Sequence, residues 1–403
     1  GDLRGIIEHL DHVQNLGIDV LYMTPVFKSN SSHKYDTIDY YQIDPSFGTT
    51  EDLRELVQEA HKRGMKIVMD AVFNHTGREF FAFEDIMEKG EKSKYLDWYY
   101  IEKFPLKSER GEIPNYKCFG YYGGMPKLNL KNPEVEKFIT DVACYWIKEC
   151  NIDGWRMDVG DEISHYFWKN FRRAVKAVKK DMLIIGEIWH YAGDFLEGDE
   201  WDTVMNYPFY LNLIDLLADE KINVSQFIQN LGYLKGRLNK KCYPLMWNLI
   251  DSHDTARFLH LCKDNKKKQH LAAAFQLLLP GMPMIYYGDE FAMPGANDPD
   301  CRRGMYWDEE YQDKEMFEWY KQLLKVRKNH ACIVEGEPME IAARDEEETI
   351  VLTRKNGEET LALIFNCSNS ARVFDEYAQK YDLLREKPFD GKIEGLDAAV
   401  IVL

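Results

Sequence analysis

The sequence lacks the long apolar run that a membrane-spanning helix requires. No stretch of about 18 consecutive apolar residues occurs in its 403 positions, and no secretory signal pattern is present in the printed residues. We therefore predict a cytoplasmic location and no membrane partner.

Closely spaced cysteine pairs are also missing. None of the eight cysteines forms a CxxC pair, and their spacing suits neither a zinc site nor a small disulfide framework. Free, buried thiols in a reducing compartment are the expected state.

The sequence also has fewer basic than acidic residues. It contains 51 Lys and Arg and 68 Asp and Glu, which gives a net charge of −17. Such a balance disfavours nucleic acid as a partner, whereas a neutral ligand such as a sugar is compatible with it.

Most of the chain alternates between apolar strand patterns and amphipathic helix patterns. The predicted strands cover residues 18–23, 66–72, 152–158, 182–187, 202–206, 244–250 and 282–287. Alternation of this kind predicts an α/β fold with a parallel sheet, here a TIM (β/α)8-type barrel. A closed barrel has eight such strands, so we expect the first strand to precede residue 1.

Two segments interrupt this alternation and suggest further domains. Residues 76–130 are long, irregular and rich in aromatic and charged side chains, which predicts an inserted B domain between barrel parts at 1–75 and 131–332. From residue 333 short strand patterns predominate, and Asn-Gly at 356–357 is a strong hairpin signal. We predict a C-terminal all-β domain, a β-sandwich, over residues 333–403.

Acidic residues end four of the predicted strands. They are Asp70, Asp158, Glu187 and Asp254. The carboxyl ends of barrel strands form one rim, where active sites of this fold are built. A single acid at a strand end could be a solvated cap, but four at equivalent places favour a functional cluster.

The neighbours of these acids favour glycoside hydrolysis. Arg156 and Asp158 are two positions apart on one strand and face the same side, so a cation would keep Asp158 ionised. Ile188 and Trp189 predict an apolar setting for Glu187, which suits a protonated general acid. Retaining glycosidases hold their nucleophile and acid about 5–5.5 Å apart.

Four ordered motifs resemble those of the α-amylase superfamily, glycoside hydrolase family 13. They are DAVFNH at 70–75, GWRMDVGDE at 154–162, GEIWH at 186–190 and NLIDSHDT at 248–255. The resemblance implies that Asp158 is the nucleophile, Glu187 the general acid/base and Asp254 a third essential carboxylate. It also implies that substrate is bound by Tyr35, His75, Arg156, Trp189, His253, Asp298 and Arg302.

Two further segments resemble one branch of this family, the neopullulanases, cyclomaltodextrinases and maltogenic amylases. These segments are MPKLN at 125–129 and residues 286–305, which contain Asp298 and Arg302. The branch implies hydrolysis of α-1,4-glucosidic bonds in maltooligosaccharides, cyclodextrins or starch and pullulan fragments. A glucan transferase or isomerase with the same carboxylates, or a non-catalytic sugar-binding relative, is the alternative. For Asp298 and Arg302 the alternative is a loop salt bridge.

The expected chemistry needs no cofactor. Some relatives carry a structural calcium ion, for which Asp2 is the one obvious ligand here, and Asn74 is expected to serve a local hydrogen-bond network instead. Whether the protein forms a homodimer stays an open question, because relatives of this branch dimerise with the help of an extra N-terminal β domain that the printed sequence does not contain.

Overall fold

Short segments rich in Val, Ile and Met form a parallel sheet in the computed structural model, which describes residues 1–107 and 113–403. The described residues form two units. The first comprises Gly1–Gln14, Ile18–Ile188 and Asp194–Val204, and the second comprises Asn15–Gly17, Trp189–Gly193 and Met205–Leu403. Within the described residues, no helix is both long and apolar enough to span a bilayer.

The first unit holds a five-stranded parallel sheet and a small antiparallel pair. Its strands are β1 (Val20–Met23), β2 (Phe27–Ser29), β3 (Thr37–Ile43), β4 (Lys66–Ala71), β5 (Gly154–Met157), β6 (Leu183–Gly186) and β7 (Thr203–Val204). The parallel sheet has the order β1-β4-β5-β6-β7, and β2 pairs with β3. All residues of β5 are buried, as expected for parallel strands covered on both faces.

Helices follow the parallel strands as the alternating pattern predicted. They are α1 (Leu3–Glu8), α2 (Leu10–Leu16), α3 (Thr50–Lys62), α4 (Phe81–Lys89), α5 (Pro133–Cys150), α6 (His165–Val178), α7 (Tyr207–Leu213), α8 (Val224–Arg237), α9 (Phe258–Leu261), α10 (Lys266–Leu278), α11 (Lys314–Asn329) and α12 (Cys332–Glu335). The capping box of Thr49 and Asp52 is confirmed at the start of α3.

In its described residues, the segment from 76 to 130 contains the helix α4, three short 3-10 helices and otherwise irregular chain. The isolated bridge His75–Lys127 joins its two ends, and the bridge Tyr99–Leu128 joins its middle to its C-terminal end. Its aromatic side chains form a small core, in which Phe83 packs against Tyr99 with ring centroids 5.0 Å apart. Residues 108–112 of the predicted B domain lie outside the described residues, and the domain boundaries stay a prediction.

The first two strands of the second unit form a short parallel pair, β8 (Trp247–Asn248) and β9 (Met282–Pro283). Both strands are shorter than the sequence predicted. The chain after β9 turns back on itself, because the N–H of Asp289 donates to Tyr286 and that of Met293 to Gly288. Before this turn, Met284 adds one further cross-strand bond from its N–H to the Asn248 carbonyl at 2.8 Å.

The C-terminal part of the second unit is all-β. Its strands are β10 (Glu337–Arg344), β11 (Thr349–Asn356), β12 (Glu359–Asn366), β13 (Arg372–Val373), β14 (Tyr381–Asp382), β15 (Lys387–Pro388), β16 (Lys392–Ile393) and β17 (Asp397–Val402). One sheet has the order β10-β11-β12-β17-β14-β15, and β13 pairs with β16. The predicted hairpin is confirmed, since β11 and β12 pair across Gly357, whose φ is 60°.

Candidate active site

One buried guanidinium, that of Arg156, contacts three carboxylates in the first unit. Its Nη1 lies 2.9 Å from Asp158 Oδ1 and 3.0 Å from Asp70 Oδ2. Its Nη2 lies 2.9 Å from Glu187 Oε1. The side chains of Arg156 and Asp70 are fully buried, whereas those of Asp158 and Glu187 keep 8% and 10% of their surface exposed. Asp158 and Glu187 are therefore the two carboxylates of this cluster that solvent can reach.

The strand register places these two acids beside each other. Asp158 follows β5 directly, and its N–H donates to the carbonyl of Ala71 at 3.2 Å. Glu187 follows β6 directly, and its N–H donates to Met157 at 3.0 Å. Each acid thus extends the parallel ladder by one residue at the carboxyl edge of the sheet, as the strand-end pattern predicted.

The charge balance of the cluster is negative. Burial lowers the pKa of Arg156, but the charges of Asp70 and Glu187 outweigh burial and hold that pKa well above its usual value. The hydroxyls of Tyr22 and Tyr35 donate to Asp70 Oδ2 at 2.6 and 3.0 Å. A permanently charged Arg156 with three carboxylates favours the ionised acid that a nucleophile requires and suits the positive charge of an oxocarbenium-like transition state.

The contacts of Glu187 differ from the apolar setting that the sequence predicted. Arg156 contacts Oε1, and the backbone N–H of Val159 donates to Oε2 at 2.9 Å. Each oxygen of Glu187 therefore has a protein contact within the first unit. Trp189 belongs to the second unit, where its ring stacks on Tyr207 with centroids 3.8 Å apart.

His75 is buried and holds the chain around Tyr35. Its Nε2 lies 3.0 Å from the Tyr35 carbonyl oxygen, and the Asn74 amide lies 3.3 Å from its Nδ1. These partners assign a neutral ring with the proton on Nε2. The ring stacks on Phe119 with centroids 5.3 Å apart. His75 therefore has protein partners at both nitrogens, in addition to the sugar contact that the resemblance implies.

His75 predicts a loss of stability in mild acid. Burial lowers its pKa from 6.5 to about 4, so between these values the unfolded chain takes up a proton that the folded chain does not. The contribution of His75 to the free energy of unfolding is complete above pH 6.5 and is lost as the pH falls. The total loss is about 3 kcal/mol. Urea unfolding of wild type and His75→Gln at pH 7 and pH 4.5 tests this. The wild type should lose more stability than the variant, and equal losses would contradict the assignment.

The side-chain oxygen of Asn74 accepts a hydrogen bond from the Lys127 ammonium. The same ammonium pairs with Glu162 at 2.9 Å. The prediction that Asn74 serves a hydrogen-bond network is confirmed. Asp2 caps α1 by accepting from the N–H of Gly5 at 2.7 Å. Among the residues that the structure describes, no three His, Cys, Asp or Glu side chains converge as a metal would require.

The second unit places His253, Asp254, Asp298 and Arg302 together. The His253 ring Nε2 lies 3.0 Å from Asp254 Oδ2, and Arg302 Nη2 lies 3.5 Å from Asp254 Oδ1. Arg302 Nε donates to the carbonyl of His253 at 2.9 Å and pairs with Asp298 at 2.8 Å. The loop salt bridge that the sequence left as an alternative is therefore present, and its arginine also contacts the predicted third carboxylate.

The predicted site residues fall into two sets, one in each unit. The first unit holds Tyr35, His75, Arg156, Asp158 and Glu187, and the second holds Trp189, His253, Asp254, Asp298 and Arg302. Sequence reasoning missed the Tyr22 hydroxyl on Asp70 and the Val159 N–H on Glu187. Tyr22 near the end of a predicted strand was an available signal, whereas a backbone donor leaves none.

The class of protein follows from a family comparison together with this arrangement. Residues 1–336 match the model of the α-amylase catalytic domain. The chain belongs to the α-amylase family, and its class is that of the glycoside hydrolases. The predicted fold class, a TIM (β/α)8-type barrel with an inserted B domain and a C-terminal all-β domain, is confirmed at the level of the family.

Among curated relatives, a cyclomaltodextrinase of Geobacillus thermopakistaniensis is 47% identical over 92% of the chain. Neopullulanase 2 of Thermoactinomyces vulgaris is 48% identical over 83%. The chain spans 63% and 57% of the lengths of these two proteins. A solved structure of a cyclomaltodextrinase matches with a TM-score of 0.95 and 39% identity, covering all of this chain and 71% of the other. A cyclic α-maltosyl-(1→6)-maltose hydrolase of Arthrobacter globiformis matches at 0.91 and 35%, over 100% and 89%.

Proposed function

We propose that this chain is a retaining α-glucan hydrolase that cuts α-1,4-glucosidic bonds in maltooligosaccharides, cyclodextrins or starch and pullulan fragments. The observation that carries this proposal is the pair of partly exposed carboxylates, Asp158 and Glu187, on one buried Arg156. Paired carboxylates of this kind are the machinery of glycoside hydrolysis. The names of the relatives support cyclodextrins and pullulan as substrates.

In the proposed reaction Asp158 attacks the anomeric carbon while the bond to the leaving oxygen breaks. Glu187 donates its proton to that oxygen, and a glycosyl ester of Asp158 forms. Water then enters, Glu187 takes one of its protons, and the resulting hydroxide oxygen displaces Asp158 from the anomeric carbon. Two displacements give net retention. Arg156 keeps Asp158 ionised before attack and stabilises it again as the leaving carboxylate.

The remaining residues are proposed to bind the sugar. Asp254 binds hydroxyl groups of the distorted ring and stabilises the transition state, with His253 and Arg302 as its neighbours. Tyr35 supplies a ring for stacking, and His75 a further contact. Trp189 and Asp298 are proposed to contact more distant glucose units.

Product analysis tests this function against the alternatives. With maltotriose we expect maltose and glucose, and the first-formed product should have the α configuration by proton NMR. A glucan transferase would instead give longer oligomers, and an isomerase would release no new reducing end. Parallel digests of β-cyclodextrin, pullulan and starch rank the substrates. No turnover of any of them, or a β-configured first product, would contradict the proposal.

The location and the assembly of the protein are also proposals. A Bacillus subtilis relative, 42% identical over 92% of this chain, is named an intracellular maltogenic amylase, which supports the predicted cytoplasmic location. A homodimer stays a prediction that sedimentation would test.

A further inference from the structure

Val159 adopts a backbone conformation that β-branched residues avoid. Its φ and ψ are 47° and 43°, in the left-handed region, where a bulky L-residue is a genuine outlier. Strain of this kind persists only where the surroundings over-determine it, and it concentrates at functional sites. The N–H of this residue donates to Glu187 Oε2 at 2.9 Å, so the strained peptide contacts the proposed acid/base directly.

The indole ring of Trp201, which we call the Trp201 wedge, packs against the chain on either side of this hydrogen bond. The ring of Trp201 is buried against Gly160 and Gly186, the residues that follow Val159 and precede Glu187. A Cβ on Gly160 would lie 2.7 Å from the Trp201 ring, and one on Gly186 would overlap the ring. Only glycine therefore lets both chain segments approach the indole so closely.

Two more contacts hold the wedge and the turn in place. Trp168 Nε1 donates to the carbonyl of Gly160 at 2.9 Å. On its other side Trp201 stacks on Phe195, with ring centroids 4.1 Å apart and planes 9° from parallel. The turn at Val159 is therefore held by packing and hydrogen bonding at its next residue, which can supply the free energy that the left-handed conformation costs.

We propose that Val159 is a positioning residue for Glu187, held left-handed by the Trp201 wedge so that its N–H fixes one oxygen of the acid/base. This inference rests on the proposed function. Arg156 contacts the other oxygen of Glu187, and the same guanidinium contacts Asp158 and Asp70. With both oxygens held, the carboxyl cannot rotate away from the leaving oxygen.

Two substrates with different leaving groups distinguish a loss of acid positioning from a general loss of activity. The leaving group of maltotriose is a sugar oxygen that needs the proton of Glu187, whereas the fluoride ion of α-maltosyl fluoride leaves without a proton. Because kcat/KM reports steps up to the first bond cleavage, only the maltotriose value depends on the acid. The ratio of the two values is also independent of how much of the preparation is folded.

The experiment compares wild type, Val159→Gly and Trp201→Phe with both substrates. Glycine at position 159 keeps the N–H but has no Cβ and moves freely between backbone conformations, so the N–H is held less firmly. The smaller ring of phenylalanine loosens the wedge. Each variant should lower kcat/KM for maltotriose about tenfold more than for α-maltosyl fluoride, a fraction of what a general acid contributes.

Two controls keep this outcome separate from the proposed function. Glu348→Gly relaxes another left-handed residue, φ 53°, in the C-terminal all-β part, and should leave the substrate ratio unchanged. Glu187→Gln should abolish maltotriose hydrolysis and spare fluoride release, and failure of that variant would refute the proposed function itself. If Glu187→Gln behaves so but Val159→Gly and Trp201→Phe reduce both substrates equally, or neither, the positioning role is wrong.

Discussion

Asp158→Ala should lower kcat/KM for maltotriose by roughly 10⁴-fold or more, because the variant lacks the group that forms the covalent intermediate. The fold should survive, since Arg156 keeps Asp70 and Glu187 as partners and the lost side chain lies at a strand end. Initial rates, with circular dichroism as the check of folding, measure this. Asp141→Ala is a matched control, because that carboxylate is 55% exposed and pairs with Lys137 on a helix.

The same variant offers a positive test of the vacated position. Azide is a small anionic nucleophile, so with α-maltosyl fluoride it should restore turnover in Asp158→Ala and give the β-maltosyl azide. A single displacement inverts the configuration, as expected when the first of two displacements is replaced. A rate for Asp158→Ala within tenfold of wild type would remove Asp158 as nucleophile.

Arg156→Leu should destabilise the folded protein by about 3–5 kcal/mol, the usual cost of removing one partner of a buried ion pair. Asp70, Asp158 and Glu187 would then share a buried region without the cation that contacts all three. Protonation relieves their repulsion, so the folded variant takes up more protons than the unfolded chain. Its stability should therefore rise from pH 8 to pH 5 relative to wild type.

Urea unfolding at the two pH values measures this effect. Arg54→Leu is the control, because that arginine is 29% exposed and pairs with Glu51 and Glu149 near the surface. Exposed pairs contribute about 1 kcal/mol or less, so this variant should change little at either pH. An Arg156→Leu protein as stable as Arg54→Leu would show that Arg156 does not hold the three carboxylates together.

The order of strands and helices could be predicted because hydrophobic periodicity reports burial directly. The lengths of the strands could not be predicted, as the later parallel strands β8 and β9 show. Residues 282–287 read as one apolar strand, yet β9 ends at Pro283. The Met284 N–H makes a last bond across to Asn248, and the N–H of Asp289 already bonds within the following loop. Periodicity detects which residues are buried, whereas hydrogen bonding decides where a strand ends.

For the site, the sequence predicted the acids and the pairing of Arg156 with Asp158, but not the contacts of Glu187. Asp158 and Glu187 were found because each ends an apolar strand within a recognisable motif. The donors on Glu187 were missed because one is a backbone N–H, and Trp201 is distant in sequence from the glycines it contacts. Asn74 was predicted to serve a hydrogen-bond network, but its partner was not predicted, because Lys127 is 53 residues further along the chain.

The covalent intermediate is the central claim, and mass spectrometry can observe it directly. Glu187→Gln incubated with 2-deoxy-2-fluoro-α-maltosyl fluoride should form a glycosyl ester that hydrolyses slowly, because the base that activates water is absent. Peptide mapping should place one added disaccharide on Asp158. A label on another residue, or an unlabelled enzyme that nevertheless releases fluoride, would contradict the account.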